Sequence, residues 1–108
     1  MYKLIFYTPK DEAEKVKEAI FATGAGSIGN YAKCSWQTEG IGQFLPLAGS
    51  KPTLGTQGEI EQVAELRVEI LCTENNIRAA IAAMKEAHSY EEVAYEVLSI
   101  ENFLVYES

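Results

Sequence analysis

Hydrophobic and polar positions divide the chain into six elements. Tyr2–Thr8 is rich in β-branched and aromatic side chains and stops at Pro9, which predicts a strand. Asp11 then offers an N-cap, with Glu14 as its capping-box partner. Ala13, Val16, Ala19 and Ile20 recur at helical spacing while Glu12, Lys15, Lys17 and Glu18 fall off that stripe. An amphipathic helix is therefore expected to run to about Thr23. From Tyr31 to Thr38 the chain alternates, with Ala32, Cys34 and Trp36 on one side and Lys33, Ser35 and Gln37 on the other, as in a half-buried strand. Residues 63–72, VAELRVEILC, alternate most clearly, with Leu66, Val68, Ile70 and Cys72 inward. Thr73 is expected to cap a helix from about Glu74 to His88, striped by Ile77, Ala80, Ile81, Met84, Ala87 and His88. Val93–Ile100 reads as a last strand, and Asn102–Ser108 adds a short apolar tail.

Between the second and third strands lies a Gly/Pro-rich segment, about residues 39–59, EGIGQFLPLAGSKPTLGTQGE. It is too long for a simple hairpin turn, and such loops are usually functional or make partner contacts. Phe44 and Leu45 inside it need cover, from this chain or from a neighbour. The order β-α-β-β-α-β predicts one ferredoxin-like α+β domain over 1–108: a four-stranded antiparallel sheet with two helices on one face. That superfold hosts many functions and assigns none.

Composition narrows the partners. The 108 residues, 47% of them hydrophobic, suffice for a single core. A net charge of −7, from 16 acids against 9 bases that form no run, repels phosphate backbones and anionic lipid. Nucleic acid and membrane are thus excluded as expected partners. The N-terminus shows no secretory apolar stretch, and nothing approaches the roughly 20 apolar residues of a span, so a cytoplasmic location is expected. Cys34 and Cys72 stand alone, without a C-x-x-C, and read as reduced buried thiols.

Three features invite a chemical reading. Gly24, Gly26 and Gly29 in TGAGSIGNY spell G-x-G-x-x-G, the spacing of a dinucleotide-binding loop. That loop needs a strand before it and a helix after it. Here the order is reversed, and the glycines fall where a helix C-terminus takes left-handed angles. A turn is the expected reading. In AHSYEEVAYE, residues 87–96, His88, Glu91 and Glu92 are metal-ligand types suited to zinc, copper or iron. Against this, His88 continues the stripe of its helix, and neighbouring carboxylates on an extended stretch face opposite ways. Spacing alone favours His88 closing the helix. Cys34 has no evident base or cation beside it and reads as a small core residue on the inward face near Trp36. Neither a nucleophile elbow nor a Walker A sequence is present.

Three segments together, GAGSIGNYAKCSWQ, GIGQFLPLAGSKPTLG and AHSYEEVAYE, resemble the YqfO-type domain. That domain also occurs as an insert in larger members of the Ngg-one-interacting-factor-three family, and is similar in fold to the CutA divalent-ion tolerance proteins and PII-like regulators. The resemblance covers nearly the whole chain and runs through Gly26, Tyr31, Cys34, Gly42, Phe44, Pro46, His88, Tyr90, Glu91, Glu92 and Tyr95. The family usually has prolines where this chain carries Ser89 and Val93, which loosens the turn after the second helix.

The resemblance implies a homo-oligomer, a trimer by analogy with CutA and PII, acting as a binding or regulatory module. No catalytic residue is assigned. Tyr31, Cys34, Trp36, Tyr90 and Tyr95 would line a cleft between subunits, with His88, Glu91 and Glu92 as ligands for a divalent metal, zinc or copper. A small ligand is the other expected guest. The dinuclear centre of the full-length family lies in flanking lobes, and one histidine cannot rebuild it. Two alternatives stay open: a metal-assisted hydrolase acting through His88 and the carboxylates, and a structural or partner-binding domain without a ligand.

Overall fold

The computed structural model describes residues 1–101, so the apolar tail expected at 102–108 lies outside the described residues. Four strands, Tyr2–Pro9 (β1), Trp36–Phe44 (β2), Glu61–Cys72 (β3) and Tyr95–Ser99 (β4), form one antiparallel sheet in the order β2-β3-β1-β4. Helices Ala13–Phe21 (α1) and Ile77–Ala87 (α2) pack on the same face. This is the expected ferredoxin-like α+β arrangement.

Strand alternation builds the core. Leu4, Phe6 and Thr8 of β1 and Leu66, Val68, Ile70 and Cys72 of β3 turn to the helices and are buried. They meet Ala13, Val16 and Ile20 of α1 and Ile77, Ala80 and Met84 of α2, which is the predicted stripe of each helix. Each large aliphatic side chain buried here contributes about 1.5–3 kcal/mol. Register fixes what lies beyond this core. β1 pairs β3 from Tyr2 opposite Cys72 to Pro9 opposite Glu65. The first residues of β3 therefore run past the end of β1 and pair with β2 alone, as Val63 does with Gly42 and Ala64 with Ile41.

Three local expectations need correction. Asp11 does not cap α1: the chain leaves Pro9 into a 3-10 turn over Lys10–Glu12, and Glu12 takes the N-cap position without a side-chain bond. Nor does the Thr73 side chain start α2. Its carbonyl accepts from Asn76 N–H and Ile77 N–H while its own N–H donates to Asn76 Oδ1 at 2.8 Å, so 73–76 form a turn and the helix begins at Ile77.

The largest correction concerns β2, expected at 31–38 with a loop from 39. Residues 24–35 instead fold back as a knot of turns. Gly24, Gly26 and Gly29 all take left-handed angles, Gly26 N–H donates to Leu71 O, Cys34 N–H donates to Gly26 O, and Ile28 and Tyr31 form an isolated bridge. A side chain at Gly26 would meet the Phe21 ring and the Cys34 carbonyl at about 3 Å. The glycine motif thus ends a helix, and of YAKCSWQT only Trp36, Gln37 and Thr38 belong to the strand, while 31–35 are part of the turns. Ala32 is exposed, Cys34 half-buried and Trp36 61% exposed, so Cys34 is not the core residue expected. The strand proper takes in EGIGQF, whose glycines had signalled a loop.

Candidate functional site

The sheet face away from the helices carries a groove of about 730 Å³ at the end where β2 and β3 outrun β1. Its floor follows from the two-residue strand period. Tyr7, Arg67 and Thr38 stand in one cross-strand row, and Glu65 and Gly40 in the next. One wall is the 45–54 stretch of the β2–β3 connection, and the other is the α2–β4 connection around Tyr90.

Tyr90 is the hub. His88, the last residue of α2's cap, is only 6% exposed and has both ring nitrogens engaged. Nε2 lies 2.7 Å from the Tyr7 carbonyl, which can only accept, so Nε2 carries the proton. Nδ1 accepts from Tyr90 N–H at 3.1 Å. The Tyr90 ring stacks at a tilt on His88, centroids 4.7 Å apart, and approaches Phe44 at 6.2 Å. Its hydroxyl donates to Glu65 Oε2 at 2.9 Å. Burial first, and then the bond to the Glu65 carboxylate, push this phenol far above its ordinary range, so it stays a donor.

Glu65 can lie flat on β2 because Gly42 has no side chain: a Cβ there would collide with the Glu65 carboxylate. Farther along the face, Arg67 Nε and Lys3 Nζ share Glu69 at 3.6 and 3.4 Å, and Tyr7 donates to Glu96 at 2.9 Å. The arrangement offers mostly apolar and aromatic walls with a few fixed polar groups, a combination suited to holding a small molecule.

Of the residues singled out by sequence, Tyr90, Glu91 and Glu92 line this groove. Tyr95 lies beside it, in a shallow depression with Lys85 Nζ 4.9 Å above its ring. Tyr31, at 75% exposure, Cys34 and Trp36 are outside the described lining. His88 sits beneath Tyr90 and positions it. A divalent ion does not fit these residues within one chain. Among the described residues no three His, Cys, Asp or Glu side chains stand together to hold one, the His88 nitrogens are taken, and Glu91 Oε1 accepts from Lys51 N–H at 3.0 Å.

Tyr7, Arg67, Glu65 and Thr38 escaped the sequence reading. A signal existed: Gly40 and Gly42, two apart, clear one face of a strand, and a long side chain on the next strand is what such a clearing admits. Among the described residues, no helix is long and apolar enough to cross a membrane.

Two helices on one face of a β2-β3-β1-β4 sheet are the architecture of CutA proteins. The structure of the periplasmic divalent cation tolerance protein CutA from Archaeoglobus fulgidus matches 94% of this chain and 86% of its own, with a TM-score of 0.67 at 17% identity. In sequence the chain is similar to a segment of longer proteins. A Bacillus cereus protein related to NIF3 is 40% identical, with a TM-score of 0.80, over 94% of this chain and 26% of that one. The protein called GTP cyclohydrolase 1 type 2 homolog is 46% identical over 99 residues in Bacillus subtilis and 42% over 98 in Mycobacterium tuberculosis. The chain spans 26% of the length of these curated relatives. No family model matches it. The resemblance read from the three segments, to the insert of the Ngg-one-interacting-factor-three proteins and in fold to CutA, is borne out.

Proposed function

We propose that the chain is a binding or regulatory module rather than an enzyme, cytoplasmic and trimeric, which takes a small ligand in the groove beside Tyr90. The groove itself carries this reading. Its volume of about 730 Å³ falls within the span of small-molecule sites, roughly 300–1,000 Å³. Its polar groups are held by bonds from three different elements. The names of the solved neighbours, divalent cation tolerance protein and PII-like protein CutA, agree with a binding role.

Support for assembly comes from the sheet edges. β2 and β4 are the outer strands, and both are largely exposed. Joining the β2 edge of one copy to the β4 edge of the next is a head-to-tail contact, which closes when three copies complete a ring. Tyr31, Cys34 and Trp36 would enter the site from a neighbouring copy. A divalent ion would likewise need ligands from more than one copy, whereas the groove needs none.

The test is a ligand-observed NMR screen of small metabolites against the native chain and Gly40→Leu. Gly40 lines the groove, and a Cβ there meets nothing within 4 Å, so the leucine fills the groove without disturbing the strand. Compounds that bind the native chain and not the variant are expected. A screen in which both bind alike would refute the site. Light scattering should return three times 11.9 kDa, and a monomer at micromolar concentration would refute the assembly while leaving the groove.

A further inference from the structure

The β2–β3 connection is organised before it touches the rest of the chain. Gly58 N–H donates to Pro46 O at 2.7 Å and closes the neck of the loop. Inside, Ser50 N–H and Ser50 Oγ both donate to Leu47 O, and Gln57 Nε2 donates to Ser50 O at 2.7 Å. Pro46 at the neck is buried, although most of the loop is exposed. A loop of this kind, with near ends and its own internal bonds, is an Ω-loop.

Two hydrogen bonds carry it across to the far wall. Lys51 N–H donates to Glu91 Oε1 at 3.0 Å, and Thr53 Oγ1 donates to Ser89 O at 2.6 Å. Both are exposed to solvent, where a single hydrogen bond is worth little net. The stretch between them lies along the groove: Ser50, Pro52, Thr53 and Leu54 all line it.

We propose that residues 46–58 are a latched flap over the groove, swinging as a body about the Pro46–Gly58 neck. The Thr53–Ser89 and Lys51–Glu91 bonds are its latch, and release of the latch admits the ligand. The proposal rests on the groove being a ligand site, and names how that site is opened.

Amide hydrogen exchange on the full chain tests it. A flap that opens as a body exposes the Lys51 amide and spares the Gly58 amide. In Thr53→Val, Lys51 exchange should rise roughly two- to threefold, the effect of losing one weak exposed hydrogen bond, with Gly58 unchanged. Glu91→Gln keeps an acceptor and should leave Lys51 slow, whereas Glu91→Ala should not. Joint acceleration of Lys51 and Gly58 would mean that the loop unravels, and no response of Lys51 to Thr53→Val would mean that there is no latch. Either result overturns the flap. Stopped-flow association of the fluorophore 8-anilinonaphthalene-1-sulfonate should accelerate by a similar factor in Thr53→Val. If neither protein takes up the fluorophore while Lys51 responds as expected, the flap stands and the binding reading of the groove falls.

Discussion

The hydroxyl of Tyr90 donates to Glu65 Oε2 at 2.9 Å and ties the α2–β4 connection to the third strand at the mouth of the groove. The bond has a charged acceptor and a partly buried donor, so it is worth more than an average exposed one. Tyr90→Phe should keep the ring contacts with Phe44 and His88 and lose this bond. A loss of about 1–2 kcal/mol in urea denaturation is expected, together with weaker ligand binding. An unchanged denaturation midpoint would show that the pair holds nothing.

Gly40 and Gly42 should respond oppositely to alanine. Neither has a left-handed angle, so space alone separates them. At Gly42 the new methyl displaces the Glu65 carboxylate and breaks its bond with Tyr90, costing about 1 kcal/mol or more. At Gly40 it meets open space, and a strand gains slightly when glycine leaves, by up to roughly 1 kcal/mol. Thermal melting of the two variants side by side settles the point, and equal shifts would refute the account of Gly42.

Met84 should prove a core residue and Ile41 a surface one. Met84 is fully buried between the helix pair and the sheet, and Met84→Ala should cost about 2–5 kcal/mol. Ile41→Ala, at a side chain 76% exposed, should stay within roughly 0.5 kcal/mol. Guanidinium titration reads both. A large loss at Ile41 would reveal a contact with another copy.

Stability should fall at alkaline pH. Burial pushes the Cys72 thiol up to about 11 from an ordinary 9.0. The Tyr90 phenol is raised above 10.0 by burial and Glu65, and the Tyr7 phenol mainly by its bond to Glu96. Each group gives up its proton more readily unfolded than folded, so the stabilisation is complete below the ordinary value and is lost as pH rises past it. The denaturation midpoint should therefore hold flat to about pH 9 and drop from there through 11. Cys72→Ala should remove the first part of that drop and Tyr90→Phe part of the later one. A curve unaffected by both would contradict these assignments.

Legibility in the sequence followed the physics of each segment. β3 and both helix stripes were readable because one face of each is buried, and burial imposes a period. β1, with Leu4, Ile5 and Phe6 all buried, was readable instead from its β-branched and aromatic run. β2 was misplaced because it has no such face: it is an edge strand, and nearly all of it is exposed. One of its glycines, Gly42, answers to a side chain on another strand, information that no local window holds. Glu91 and Glu92 drew attention as metal-ligand types and Tyr90 through family likeness, and all three line the groove. Tyr7, Glu65 and Arg67 were missed because register alone brings them together, and register appears only once β1, β2 and β3 are aligned. His88 was correctly read as closing a helix, although its bonds to Tyr7 and Tyr90 needed the folded chain.

Adjacent positions on β3 serve opposite masters. Leu66 points into the core and Glu65 into the groove. A slip of one residue would exchange them, burying a carboxylate among the helices and setting a leucine where Tyr90 needs an acceptor. The pairing that keeps the protein folded is thus the same pairing that proofreads its groove. A chain whose core is correctly assembled cannot carry Glu65 on the wrong side, and the site inherits the full cooperativity of folding without any device of its own.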